Sequence, residues 1–339
     1  EKVRRREGKR AADYLFETVG PGKPATFRLE VVEIDHTRAD VWVIDHVSGY
    51  LLGRPWITIA IDRFTRMIVG VYIGFEPPST HSVMQCIHNM INPKLKMLKE
   101  MGVQGPWNPF GAPVTVMVDN AQEFLSDSVR STLAELNITI AQQPVNRPEF
   151  KGIVERAMRT IKEKGLTWMP GKVRTFAKGS HGYDPAKSAC ISLDEFRKYF
   201  FLWLIFDYTN TTHSGIMDVP GRRWEEEVAR RPVWIPNHVN DLAAVLGLRK
   251  KGIISRRGIR FRNLFYQSPE LTRIRMSPKY ENEVQFTVDP GNLGFIRVIH
   301  PAGHRTVVVP AVIPEYANGL TLAQHNFIRA FLLKRNQSY

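Results

Sequence analysis

Three carboxylates stand where acids can meet a cation. Asp119 directly follows a short β-branched run at 114–118 (VTVMV), preceded by Pro113 and followed by Asn120, the pattern of a fully buried strand. An acid at the end of such a strand has its carboxylate at the sheet edge. Asp35 ends another β pattern at 29–35 (LEVVEID). Glu155, thirty-six positions beyond Asp119, lies in a helical pattern whose core spacing is marked by Ile153, Ala157 and Ile161. Pro144 and Pro148 punctuate the approach, so this helix is expected to start near Pro148 or Glu149. Glu155, Arg159 and Lys162 share another face of it at i, i+4 and i+7, with Lys151 one turn earlier and Arg156 adjacent. An acid among bases, aimed at a sheet edge that carries further acids, suggests divalent ions bridged to a phosphate backbone. Phosphoryl transfer of this kind uses two ions about 3.5–4 Å apart. Hard ions such as Mg²⁺ take oxygen ligands and keep several waters, so three carboxylates suffice. On spacing alone, any three acids would say little.

The elements around these acids divide the chain. Residues 1–10 (EKVRRREGKR) hold six bases and two acids and read as a basic arm. Arg4, Arg5 and Arg6 are either a solvated run or a phosphate contact. LEVVEID, VWVID (41–45), WITIAID (56–62) and MIVGVYIGF (67–75) form a series of antiparallel strands, with a turn around Ser48–Gly49. Ser79 and Thr80 offer an N-cap for a helix to about Lys99, disturbed at Pro93. After the VTVMVD strand come a helix around 122–136, an ITIAQ strand (138–142) and the Glu155 helix. Antiparallel strands followed by alternating helix and strand give a mixed sheet with helices on its faces. Residues 166–192, rich in Gly, Pro, Lys and Ser, read as a loop that orders on demand. Ser192 and Glu195 make a capping box for the FFLWLIF helix (200–206). That apolar run is far shorter than the about 20 residues of a membrane span, and charges flank it, so a core helix is expected and no membrane partner.

From Arg249 short strands follow: GIISRRGIRF, LTRIRM, EVQFTVDP, LGFIRVIH and TVVVP, consistent with a small β-barrel. Residues 320–335 read as a closing amphipathic helix. Net charge is +14, with +4 in residues 1–10 and +8 in residues 248–310. The partner is therefore a polyanion, gripped mainly by the flanks. Arg256, Arg257, Arg260 and Arg262 alternate through a strand pattern; DNA backbone is favoured over a merely solvated face. Cys86 and Cys190 lie far apart without metal-ligand spacing, so neither a zinc site nor a disulfide framework is expected, which fits a reducing cytoplasm. The first residue is Glu rather than Met, and the chain is expected to be a fragment.

The motifs also carry a resemblance. VEIDHT (32–37), the hairpin IAIDRFTRMIVG (59–70), VMVDNAQEF (116–124) and PEFKGIVERAMRTI (148–161) are similar to the RNase H-like integrase core of DDE transposases and retroviral integrases. GRPWITIAIDRFTRMIVGVYIGFEPPS (53–79) most resembles the TnsB-type transposases, and YTNTTHSG (208–215) with Pro220 and Trp224 is similar to the tail of that core. GIRFRNLFYQSPEL (258–271) and VDPGNLGFIRV (288–298) resemble the Mu-type transposase C-terminal barrel. The resemblance covers roughly residues 28–314. It implies an α/β fold: an RNase H-like mixed sheet with flanking helices over 28–235, then a small all-β barrel over 248–314. Residues 1–27 are then a basic arm and 315–339 a terminal amphipathic helix.

Residue by residue, Asp35, Asp119 and Glu155 match the three acids of that family. The resemblance implies two Mg²⁺ or Mn²⁺ ions, bridged by Asp35 and each held also by Asp119 or Glu155. It implies cutting of a transposon end to free a 3′-OH, which then attacks target DNA by in-line transesterification. It also implies a homo-oligomer on DNA in the bacterial cytoplasm, an AAA+ regulator, and in some cases a separate endonuclease subunit that cuts the 5′ strands. The integrase zinc module is absent from the sequence. Asp45 and Asp62 have ordinary turn roles. Asn120 is a ligand positioner or a cap; His213 is a contact or a hydrogen-bonding His. A nuclease without strand transfer, or a DNA-binding regulator whose acids are idle, would share many of these features.

Overall fold

The strand that carries Asp35 is the centre of the first unit. In the computed structural model, which describes residues 24–119, 130, 133–134, 136–142, 152–173, 184–235, 248–277, 283–300 and 306–337, β1 spans Val31–Arg38. A small hairpin, β2 (Val43–Ile44) and β3 (Leu51–Gly53), leads to β4 (Trp56–Asp62) and β5 (Ile68–Gly74). Then come α1 (Thr80–Ile91), α2 (Leu95–Glu100), β6 (Thr115–Val118), β7 (Thr139–Gln142) and α3 (Gly152–Thr160). Two further helices, α4 (Leu193–Phe206) and α5 (Pro220–Arg230), complete this part.

The sheet runs β5-β4-β1-β6-β7. β5, β4 and β1 pair antiparallel, whereas β1, β6 and β7 pair parallel. This is the RNase H-like mixed sheet anticipated above, with β1 in the middle. β1, β4 and β5 alternate sides, yet both faces are nearly dry, because helices cover them. β5 is an edge strand, but side chains occupy its outer edge. Val71 N–H donates to Asn89 Oδ1 (2.9 Å), and Ile73 C=O accepts from Arg197 Nη2 (2.8 Å) and Nε (3.3 Å).

The expected helix from Thr80 to about Lys99 is two helices. Its Ser79 cap is present, and the chain leaves α1 at Asn92, before Pro93. Lys94 is 1% exposed and closes the break. Its ammonium donates to the Asn92 and Met90 carbonyls (2.7 and 3.4 Å) and to that of Asn89, where α1 leaves carbonyls without helical partners. α4 opens on the Ser192–Glu195 capping box (Glu195 N–H to Ser192 Oγ 3.2 Å; Ser192 N–H to Glu195 Oε2 2.8 Å). Phe200, Phe201, Trp203, Leu204 and Ile205 are buried in the core, and no described helix is long and apolar enough to cross a membrane. The expected helix at 122–136 falls largely outside the described residues. Within 166–192, Lys172 bridges to Val41 and Ser192 to Ile44; residues 174–183 lie outside the description.

The second unit has its own apolar core. Its elements are β8 (Leu248–Gly252), β9 (Ile259–Phe261), β10 (Leu264–Tyr266), α6 (Pro269–Met276), β11 (Val284–Asp289), β12 (Asn292–Ile299) and β13 (Thr306–Pro310). The antiparallel strands form a four-stranded sheet, β13-β12-β11-β8, and a β9–β10 hairpin that reaches it through a Tyr266–Ala311 bridge. One expected strand is corrected: LTRIRM is the helix α6. Ser268 Oγ accepts the Leu271 N–H (3.1 Å), Pro269 sits at the helix start, and Leu271 and Ile274 are buried at i, i+3. The apolar spacing of three outweighs the β-branched content.

A short α7 (Pro314–Ala317) precedes α8 (Leu322–Gln337), the expected closing helix. Phe327 and Phe331 of α8 meet Tyr50 (ring centroids 6.0 and 5.4 Å), and Gln324 donates to Asp45 (3.4 Å). His325 Nε2 lies 2.8 Å from the Arg262 carbonyl, so α8 touches both units.

Candidate active site

Strand register brings the first two acids together. β1 and β6 run parallel, and their last paired residues are Ile34 and Val118. One step further along each chain stand Asp35 and Asp119, neighbours at the C-terminal end of β6. Ligands in open α/β sheets bind outside such strand ends. Asp35 is half-buried, and its Oδ1 accepts the His36 N–H (2.7 Å). Asp119 is exposed in the turn that ends β6.

Glu155 is carried by α3, which packs against β1. It is exposed in the first turn of α3, whose buried side is Val154, Ala157 and Met158, with Ile161 following; Ile153 is only half-buried. The start expected near Pro148 or Glu149 lies outside the described residues, as do Lys151, Asn120, Arg4, Arg5 and Arg6. Beyond Thr160 the helix widens into a π turn at Ile161–Gly165, a feature the periodicity does not announce. Among the described residues no group of three or more His, Cys, Asp or Glu side chains is gathered closely enough to hold a metal ion. The structure thus pairs the two aspartate positions and leaves Glu155 short of a closed cage. The donor set, all carboxylate oxygen at a wet sheet edge, suits a hard divalent ion that keeps waters.

The two turn acids behave as anticipated. Asp62 is fully buried and accepts from Leu29 N–H (2.8 Å), Thr65 N–H (2.8 Å) and Thr65 Oγ1 (2.6 Å). Burial pushes its pKa up to about 6 despite those donors. Asp45 accepts from Ser48 N–H and Oγ (both 2.8 Å) in its own turn. Neither points to chemistry. His36, beside Asp35 in sequence, faces the other side of β1. Its Nδ1 lies 2.8 Å from Thr58 Oγ1, and burial lowers its pKa to about 4, which leaves it neutral.

Glu33 is the residue that spacing does not single out. It sits two positions before Asp35, on the same face of β1, and is fully buried. Arg63 pairs with its Oε1 (Nε 2.8 Å, Nη2 2.7 Å), while its Oε2 accepts the Val154 N–H of α3 (3.3 Å). Burial raises its pKa, opposed by Arg63. The available signal was a second acid two positions before Asp35 in VVEIDHT, the spacing that puts both on one face of a strand.

The basic residues divide. Arg156 and Arg159 are exposed on α3, and Lys162 is half-buried in the π turn. His213 donates its N–H to the Asp218 carbonyl (2.8 Å) and accepts the Gly215 N–H at Nδ1 (3.1 Å), the hydrogen-bonding role. Burial, then Arg66 and Arg156, lower its pKa; a Cβ at Gly215 would lie 3.3 Å from His213 Nδ1 and 3.7 Å from Arg156 Nη1, so the two side chains border one patch.

Arg256, Arg257, Arg260 and Arg262 of the second unit are all exposed, but they do not alternate along one strand. Arg256 and Arg257 occupy a turn closed by Ser255 and Gly258. Gly258 has φ +93°, and a Cβ there would lie 2.0 Å from the Tyr266 carbonyl oxygen, so only glycine fits. Arg260 is on β9 and donates to Asn263. Arg262 and Asn263, both left-handed (φ 48° and 72°), make the β9–β10 turn.

Residues 33–171 match the family described as TnsB C-terminal domain, and residues 244–308 match Mu transposase, C-terminal. The chain is 29% identical over 257 residues to the transposon Tn7 transposition protein TnsB of Escherichia coli, covering 71% of this chain and 36% of that protein. It is 24% identical over 301 residues to the transposase for transposon Tn552 of Staphylococcus aureus, covering 87% and 57%. The chain therefore spans about a third and somewhat over half of these two relatives. Among solved structures, the catalytic core domain of BIV integrase aligns over 59% of this chain and 97% of its own, at 16% identity and a TM-score of 0.35.

Proposed function

We propose that this chain, which carries the TnsB C-terminal and Mu transposase C-terminal domains of the TnsB-type transposases, is a DNA transposase that frees the 3′ end of its transposon and joins it to target DNA. The observation that carries this reading is the placement of Asp35, within β1, beside Asp119, at the end of the parallel strand β6, inside the TnsB-matched span. Glu155, on a helix tied to the same strand, is the third acid. Asp35 and Asp119 would hold two Mg²⁺ or Mn²⁺ ions with Glu155. When bound, such ions activate the attacking oxygen and offset charge on the leaving oxygen.

The chain's own groups then have simple tasks. The three carboxylates keep the site negative until cations enter, and they lie at an open edge that a duplex can reach. Arg156, Arg159 and Lys162 hold phosphates beside Glu155, and Lys151 extends that stripe. The exposed arginines at 256, 257, 260 and 262, with Arg4, Arg5 and Arg6, grip backbone further away and position the DNA without reading its sequence. The reaction exchanges one phosphodiester for another, so no Ser or Tyr nucleophile is needed. The working form is a homo-oligomer on bacterial DNA in the cytoplasm, with an AAA+ regulator and a separate endonuclease subunit as candidate partners.

The test is incubation of pre-cut transposon ends with target plasmid and Mg²⁺. Joined DNA is expected. Nicks without joined product would instead identify a nuclease, and no product would identify a binding regulator.

A further inference from the structure

Glu33 ties together the two elements that carry the acids. From β1 it presents one oxygen to Arg63 and the other to the Val154 N–H, immediately before Glu155. Arg63 is itself only 10% exposed, so the pair is shielded from water. A helix sliding by one residue moves about 1.5 Å along its axis and turns by about 100°. The bond from Val154 to Glu33 fixes both coordinates at the position next to Glu155. An anion in the first helical turn also meets the positive end of the helix dipole.

We propose that Glu33 is a positioning residue: it locks α3 to β1 and thereby sets where the Glu155 carboxylate stands relative to Asp35 and Asp119. This rests on the reading of those three acids as the metal-holding set. Stability alone is a poor account of the buried pair, because well-packed apolar residues often replace such pairs without loss. Placement is the better account, since Glu33 lies on the Asp35 face and bonds the residue beside Glu155. Groups that orient metal ligands from behind typically cost 10–100-fold in metal affinity or activity when removed, roughly the effect expected here.

The test uses the full chain with Glu33→Leu, Glu33→Gln and Asp35→Asn. Three readouts are needed: Mn²⁺ binding by calorimetry, hydrogen exchange at the Val154 amide, and joining of pre-cut ends. Glu33→Leu should speed Val154 exchange, weaken Mn²⁺ by about tenfold and slow joining by at least as much, with DNA affinity unchanged. Glu33→Gln has one carbonyl oxygen to serve both Arg63 and Val154, so it should fall between wild type and Glu33→Leu. Asp35→Asn should abolish Mn²⁺ binding yet leave Val154 protected, which separates loss of a ligand from loss of position. Wild-type Mn²⁺ affinity and joining in a folded Glu33→Leu would overturn the proposal. Should Glu33→Leu fail to fold, wild-type Mn²⁺ affinity in Glu33→Gln would overturn it equally. Normal Mn²⁺ binding in Asp35→Asn would instead overturn the metal reading on which it rests.

Discussion

Removing Arg256, Arg257 and Arg260 together should weaken DNA binding in a way that salt reveals. All three are exposed, on the Ser255–Gly258 turn and the adjacent β9, so up to three phosphates are within their scope. Each phosphate contact contributes about 0.9 to the slope of log affinity against log salt, and three contribute about 2.7. If the electrostatic part vanishes near 1 M salt, affinity at 0.1 M should fall by about 2.7 decades, and at 0.3 M by about 1.4. A folding defect would lower affinity by the same factor at every salt concentration. The assay is fluorescence anisotropy of a labelled duplex from low to high KCl, with Arg→Lys at the same positions as control. The lysine variant keeps its charge and should retain the wild-type slope. A triple alanine variant whose slope matches wild type would refute the assignment, because these arginines would then be only solvated.

Asp119→Asn or Glu155→Gln should abolish joining with Mg²⁺ while DNA affinity holds or rises, since each removes a negative charge near phosphate; near-normal joining would remove these acids from the site. Arg159→Ala with Lys162→Ala should impair joining and crosslinking near the cleaved end at unchanged melting temperature, and Glu163→Lys should do neither. If Glu163→Lys is equally damaging, α3 does not present its Glu155 side to DNA. His36 should make the fold acid-sensitive. Its folded pKa, about 4, lies below the ordinary 6.5, so its contribution is complete above pH 6.5 and lost as pH falls towards 4. The loss is about 2 kcal/mol by pH 5. Asp62 acts oppositely: its folded pKa near 6 lies above its ordinary value, so its contribution falls as pH rises between about 4 and 6. Denaturant titrations of wild type and His36→Gln at pH 7 and pH 5 isolate the histidine; an equal pH effect in both would exclude it.

Local chemistry made the first unit readable. β-branched alternation marks β1, β4 and β5, and the Ser192–Glu195 box and the Asn92–Pro93 break mark helix ends by named hydrogen bonds. The adjacency of Asp35 and Asp119 was not readable from periodicity, because parallel register joins residues 84 positions apart through the sheet. Glu33 escaped for a similar reason, since its partners Arg63 and Val154 are both distant in sequence. In the second unit, the expected arginine strand failed on Gly258 and on the two left-handed residues Arg262 and Asn263, which fold the segment into turns. LTRIRM failed because Ser268-Pro269-Glu270 was a stronger helix-start signal than its branched residues were a strand signal.

The outer edge of β5 has one more consequence. An unpaired strand edge is a template on which another chain's strand can nucleate. Here Asn89 takes the outward N–H of Val71, and the Arg197 guanidinium takes the outward carbonyl of Ile73. These side chains occupy two of the backbone groups a visiting strand would use. Where copies of the chain meet at high concentration, zippering of sheets at this edge is disfavoured without a large hydrophobic cost. Asn89→Ala with Arg197→Ala would uncover the template, and slow, concentration-dependent growth of β-rich aggregates is the form the resulting failure should take.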